Sequence, residues 1–373
     1  MKKIEFGEVC SNTKMINLVK DCILSDWHTC GPKVKELEQK FAKTLRYEDC
    51  VMVNSGTSAD IASCVYLYEL GAQPGDEVIV PALCFIAVAN AVRAAGFKPV
   101  FVDIKRETLN IDESKIEEKI TPKTRAIIGV NTMGKPCKMD KIREICNRYN
   151  LTYISDQCEY HGGRYKGKMG NFYAELCTYS CYTAHLTYAV EGGFVGCSSK
   201  IAPIIRSIRS HGRQDNSLYF QHDRFGLNLK PNDVLACVGL ASIDDFWNIY
   251  YKRKNNWYTI NNSLKEERGL LWFSEEDDGD DNCPHGISFT VKNPEHFPLL
   301  ISTLDKYYIH HKRNFGCIPT QHKAFEYLGY NLEDFPESEY VGNYGVHIGC
   351  HQYLTDEEID RIIKCIKEFS YNV

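Results

Sequence analysis

Between residues 77 and 156 the chain alternates short apolar-rich runs with stretches of helical spacing, and this alternation limits its possible folds more than any other feature. Residues 77–81 (EVIVP), 98–103 (KPVFVD), 126–130 (AIIGV) and 151–156 (LTYISD) have the length and composition of strands buried on both faces. Residues 85–95 and 139–148, lying between them, repeat apolar positions at helical spacing. Strands separated by helices predict an α/β fold with a mostly parallel sheet covered on both sides. Gly75-Asp76, Pro81 and Gly96 supply the turns. The pattern changes near residue 245, where 244–262 reads as one long charged and aromatic helix. A chain of 373 residues, 43% of them apolar, can bury one large domain and a smaller second one. The expected division is 1–245 and 246–373. The second part contains the acidic run 274–281, expected as a solvated surface turn. It closes with an amphipathic helix over 356–369, which puts Ile359, Ile362, Ile363, Ile366 and Phe369 on one face.

Net charge is −5 with no basic block, which argues against nucleic acid or anionic membrane surfaces as partners. The 17 cysteines are scattered without metal-ligand spacing and read as reduced, buried thiols, so no metal is expected. The first residues lack the apolar stretch of a secretory signal, and no run is long and apolar enough to span a bilayer. The expectation is a cytoplasmic enzyme.

Several short motifs carry chemistry in a fixed order. Ser55-Gly56-Thr57 precedes a helix, where backbone N–H groups and the positive end of the helix dipole suit a phosphate. Phe85 follows the 77–81 strand. Asp156 ends the 151–156 strand, at the carboxyl edge where ligands gather in α/β sheets. Ser180, His185 and Glu191-Gly192-Gly193 come next, then Asn228 in Gly226-Leu-Asn-Leu-Lys230. Taken singly, each has a plain structural reading: a helix cap, a core aromatic, a strand-end cap, one surface or core histidine among 12.

Taken in order, from Trp27 to Glu358, these motifs resemble the DegT/DnrJ/StrS family of vitamin-B6-dependent sugar aminotransferases. That resemblance implies the type I aminotransferase fold, with a large domain built on a mostly parallel seven-stranded sheet and a small C-terminal α/β domain. It implies pyridoxal 5'-phosphate or pyridoxamine 5'-phosphate as cofactor, its phosphate held by Gly56, Thr57 and Ser180 and by Asn228 from the neighbouring subunit of a homodimer. Phe85 would stack on the pyridine ring, Asp156 would hold the ring nitrogen protonated, and Glu159 would sit near O3′.

At the position of the family's Schiff-base lysine the chain has His185, and no lysine lies within ten residues on either side. Histidine can shuttle protons near neutral pH but cannot form the stable imine. The phrase Asp156-Gln-Cys-Glu159, Ala184-His185 and Asn228-Leu-Lys230 resemble the family's sugar 3-dehydratases, which carry histidine here. Tyr182-Thr183, Leu186 and Val190 depart from that branch. The activity so implied is removal of the C3 hydroxyl of a nucleotide-linked 4-keto-6-deoxyhexose, with an amino acid such as glutamate as amine donor. The rival readings are an aminotransferase without a covalently held cofactor and an inactive cofactor-binding homologue. An iron–sulfur relative carries its cysteines after the His211-Gly-Arg motif. Residues 211–236 contain none here, so no cluster is expected.

Overall fold

The computed structural model describes residues 2–214 and 221–373. Its larger sheet contains β1 (Asp49–Val53), β2 (Glu77–Pro81), β3 (Lys98–Val102), β4 (Thr124–Val130), β5 (Thr152–Asp156), β6 (Leu176–Ser180) and β7 (Gly193–Cys197). They lie in the order β1-β7-β6-β5-β4-β2-β3. All ladders from β3 to β6 are parallel, and β7 runs antiparallel to both its neighbours. The predicted mostly parallel seven-stranded sheet is therefore present, with one reversed strand. Successive residues of a strand face opposite sides, so β1 feeds two cores. Cys50 and Met52 pack with Leu37, Phe41 and Ile142 on one side. Val51 and Val53 pack with Ala59, Ala62 and Ile128 on the other.

The helices that cover the sheet follow from their ends as much as from their periodicity. Ser55 caps Gly56–Tyr66 by accepting from the Ser58 N–H, and Asn150, in the left-handed region, ends Met139–Tyr149. The helix expected at 85–95 is shorter, spanning Ala87–Ala94.

A second, antiparallel sheet contains β8 (Leu271–Trp272), β9 (Gly286–Val291), β10 (His311–Arg313) and β11 (Gly345–Gly349), in the order β10-β11-β9-β8. Helices Phe297–Lys306 and Asp356–Tyr371 pack over it. The latter opens with a capping box between Thr355 and Glu358 and buries Ile359, Ile362, Ile366 and Phe369. The start of the chain joins this layer: the Ile4 N–H donates to Tyr308 O at 2.9 Å, and the His310 N–H donates to Ile4 O at 2.8 Å. Helix Phe246–Ser263 follows the Asp233–Ile243 helix of the larger sheet and leads into the second one.

The acidic run 274–281 is the surface turn that its composition suggests, with Glu275, Asp277 and Asp278 exposed, but it is also tied down by cations. Lys254 pairs with Glu276 at 2.9 Å and with Asp281, while Lys138 and Lys135 reach Asp277 at 2.8 and 3.1 Å. Arg164 and Asp281 also exchange backbone hydrogen bonds. The neutralising cations come from segments far away in sequence, which local composition cannot reveal. No helix among the described residues is long and apolar enough to cross a membrane.

Candidate active site

The ladder registers bring the motif residues to one edge of the larger sheet. Asp156 pairs with Thr178 and with Val130, Ser180 pairs with Gly193, and Gly193 pairs with Val53. The carboxyl ends of β4, β5 and β6 thus lie side by side, with that of β1 on the same edge beyond the start of β7, next to the N-terminus of helix Gly56–Tyr66.

At Gly56 the contacts are so close that a Cβ would lie 2.7 Å from Ser180 Cβ and 3.1 Å from Cys158 Sγ. Only glycine lets the helix start approach Ser180 and the chain after Asp156 this closely. Thr57 is half-buried beside it, and Ser55 Oγ accepts from the Ser58 N–H at 3.1 Å. The unpaired N–H groups of the helix start, with the Ser180 hydroxyl, form a cradle with the chemistry of an anion site.

Asp156 is buried, and one of its oxygens accepts from the Cys158 N–H at 2.8 Å. Burial pushes its carboxyl above the ordinary range. A second buried acid, Asp60, accepts from Thr178 Oγ1 at 2.6 Å and is raised strongly, by burial first and then by Asp156. Among the described residues no Lys, Arg or His forms an ion pair with either carboxyl. A protonated pyridine nitrogen is a group that supplies the missing positive charge.

Glu159 follows Asp156 by three residues. One oxygen accepts from the Met133 N–H at 2.6 Å, and the other lies 3.8 Å from His285 Nε2. Burial raises its carboxyl to about 8. Met133 itself has a left-handed backbone with φ of 54°, a strained state for this residue type that aims its N–H at the carboxylate. Gly134 follows with φ of 83°, and a Cβ there would overlap Cys283 O at 1.7 Å. Phe85 is 60% exposed at the same edge, with only an edge contact to Phe315, so it is available as a ring platform and is no core residue.

His185 sits in a turn in which its own N–H donates to Tyr182 O at 2.9 Å. The residue is half-buried, but its Nδ1 is fully enclosed and has no hydrogen-bond partner. Burial, then His285, His161 and Arg253, hold the imidazole well below its usual range. The ring is therefore in its neutral, free-base form at pH 7. Asn228 is exposed on a segment bridged to Ser210, outside this buried group. Val190, where the family carries glycine, has φ of 63°, a costly state for a β-branched residue.

Sequence reasoning missed three residues around His185. Arg253, fully buried on helix Phe246–Ser263, donates to Ala184 O at 3.0 Å, His185 O at 3.3 Å and Gln352 Oε1 at 2.7 Å. It therefore fixes the backbone that carries the imidazole. His161 and His285 place their ring centroids 6.0 and 4.7 Å from that of His185. His161 could have been suspected, because it closes the Asp156–Gly162 phrase. Nothing local marks Arg253 or His285. Of the cysteine-free segment 211–236, residues 215–220 lie outside the described residues.

The sequence profile described as the DegT/DnrJ/EryC1/StrS aminotransferase family matches residues 9–367. The dTDP-4-dehydro-2,6-dideoxy-D-glucose 3-dehydratase of Saccharopolyspora spinosa is 29% identical, over 91% of this chain and 80% of that protein. The GDP-perosamine synthase of Escherichia coli O157:H7 is also 29% identical, over 99% of both chains. Among solved structures, E. coli GDP-4-keto-6-deoxy-D-mannose-3-dehydratase with bound hydrated PLP superposes with a TM-score of 0.88 at 24% identity, covering 98% of this chain and 100% of that one.

Proposed function

The chain belongs to the DegT/DnrJ/EryC1/StrS aminotransferase family, and from that premise we propose that it removes the C3 hydroxyl of a nucleotide-linked 4-keto-6-deoxyhexose, using pyridoxamine 5'-phosphate. The observation that carries this reading is His185, an imidazole with an enclosed Nδ1 that is held well below its usual range, and which we take to stand in the place of the lysine that binds the cofactor in the family's aminotransferases. Gly56, Thr57 and Ser180 would hold the phosphate, Asp156 the ring nitrogen and Glu159 the neighbourhood of O3′, with Phe85 against the ring face. Asn228 is proposed to complete the phosphate site of a second copy in a homodimer, for which its exposure leaves it free. The division near residue 245 into a cofactor-binding part and a small C-terminal part belongs to the same proposal.

When bound, the cofactor supplies the amine that condenses with the C4 ketone and a ring that accepts electrons. His185 takes the proton from carbon and returns one to the departing hydroxyl. Arg253 keeps that imidazole facing the site. The products are a 3-deoxy ketosugar and ammonia, and glutamate or a similar amino acid recharges the cofactor.

The names of the relatives divide between 3-dehydratases and an amino-sugar synthase, so the product decides. Protein loaded with pyridoxamine phosphate is incubated with a panel of GDP-, dTDP- and CDP-linked 4-keto-6-deoxyhexoses, followed by mass spectrometry and an ammonia assay. A 3-deoxy sugar with equimolar ammonia is expected. An amino sugar would assign an aminotransferase instead, and no turnover across the panel would favour an inactive homologue.

A further inference from the structure

The reaction proposed above requires one imidazole both to take a proton from carbon and to return one to oxygen. A second imidazole stands where it can share that work. His285 immediately precedes β9, the start of which is held tightly: a Cβ on Gly286 would lie 2.7 Å from Ile348 O and 3.1 Å from the Phe6 ring. The Phe6 ring packs edge-on against His285, with centroids 5.3 Å apart. The His285 and His185 ring centroids are 4.7 Å apart. His285 Nε2 is also 3.8 Å from Glu159 Oε1. Glu159 is in turn anchored by the Met133 N–H. His185 Nδ1 has no partner of its own. The His285 ring thus adjoins both the His185 ring and the Glu159 carboxyl, and separations of this kind commonly tighten into catalytic hydrogen bonds on ligand binding.

We propose that His285 is a positioning residue for the dehydration, carrying a proton between Glu159 and His185. Glu159 gives its proton to His285, which passes one to His185 for the departing hydroxyl; the proton taken from carbon returns by the reverse route. Each transfer breaks one N–H or O–H bond and forms another, so the three groups hold the same number of protons before and after a turnover. At rest the proton sits on Glu159, so its passage to His285 is uphill and is drawn forward by its consumption at the departing hydroxyl. Glu159, raised to about 8, keeps a proton at neutral pH. Burial, then Arg253, His347, His161 and Lys312, hold His285 well below its usual range. With these groups around it, and Glu159 the one acid paired with it among the described residues, His285 passes a proton on and does not store it.

This inference rests on the dehydratase reading for its role in turnover, but its central test does not. In cofactor-free protein labelled with 15N-histidine, Glu159→Gln is expected to shift the His185 ring resonances. The same change made in a His285→Gln or His285→Phe background is expected to leave them unmoved, because the link is gone. Two backgrounds are used so that one poorly folding variant does not decide the matter. Glu159→Gln shifts of equal size with and without His285, or no shift in the otherwise wild-type chain, would overturn the relay. In loaded protein, His285→Gln is expected to slow ammonia release about a hundredfold. It should also remove the alkaline limb of the pH profile that Glu159 sets, a change that loss of packing alone would not produce. If the wild-type chain forms no 3-deoxy sugar, the dehydratase reading fails while the coupling measured by NMR still stands.

Discussion

A histidine enclosed on one nitrogen and held in its free-base form has a vacant nitrogen for a proton and gives it up readily, and this makes His185 the most consequential side chain in the proposed reaction. His185→Asn keeps the size and polarity of the side chain but cannot bind a proton at neutral pH. Ammonia release is expected to fall by about a hundredfold to ten-thousandfold. Affinity for pyridoxamine phosphate, read by equilibrium dialysis, should stay near wild type, because the Gly56–Ser180 cradle and Asp156 are untouched. Glu159 makes a prediction about stability. An isolated glutamate loses its proton near 4.3, whereas Glu159 keeps its own to about 8. Between those values the folded chain binds a proton that the unfolded chain has released, so the stability due to this residue declines as pH rises through the window. Cofactor-free Glu159→Gln should therefore melt above wild type at pH 8, and the gap should close toward pH 4. A constant gap across that range would mean that Glu159 titrates normally.

At the scale of elements, the site depends on a latch between loops. The turn carrying Met133, Gly134 and Lys135 is tied to the 274–283 segment, where the Cys283 N–H donates to Gly134 O at 2.9 Å. The almost fully buried Lys135 pairs with Asp277 at 3.1 Å and lies 4.0 Å from the enclosed Asp280 carboxyl, which burial raises above its ordinary range. Lys135→Met would leave Asp280 without that cation. Allowing for the exposure of Asp277, the cost should be about 2 kcal/mol. The 274–281 loop should also become a cleavage site in limited proteolysis; equal cleavage rates in variant and wild type would show that the latch contributes nothing. The same latch explains why an acidic stretch that reads as a solvated turn is ordered. Lys135, Lys138 and Lys254 lie far from it in sequence and meet it only when the two sheets pack together.

At the scale of the whole molecule, the proposed dimer makes each site a joint product of two chains. If Asn228 acts in trans, His185→Asn and Asn228→Ala chains, each weak alone, should recover activity when co-expressed. In the hybrid, one site combines the intact His185 of one chain with the intact Asn228 of the other. No recovery in purified hybrids would confine Asn228 to its own chain. Much of this architecture was legible in the sequence. The apolar runs at 77–81, 98–103, 126–130 and 151–156 became β2 to β5 because residues buried on both faces must be apolar regardless of what surrounds them. Helix 356–369 was legible from its 3.6-residue periodicity, whereas Gly56, Phe85, Asp156, Ser180 and His185 stood out only through the resemblance of their order to a known family. Tertiary structure decided the rest. The parallel β5–β6 register and the antiparallel ladders of β7 brought Asp156, Ser180 and the Gly56 helix start to one edge, and the docking of β9 beside that edge brought His285 to His185 and Glu159. Local pattern records which face of an element is buried. It cannot record which distant side chain arrives there, because that contact exists only after both sheets have closed around it.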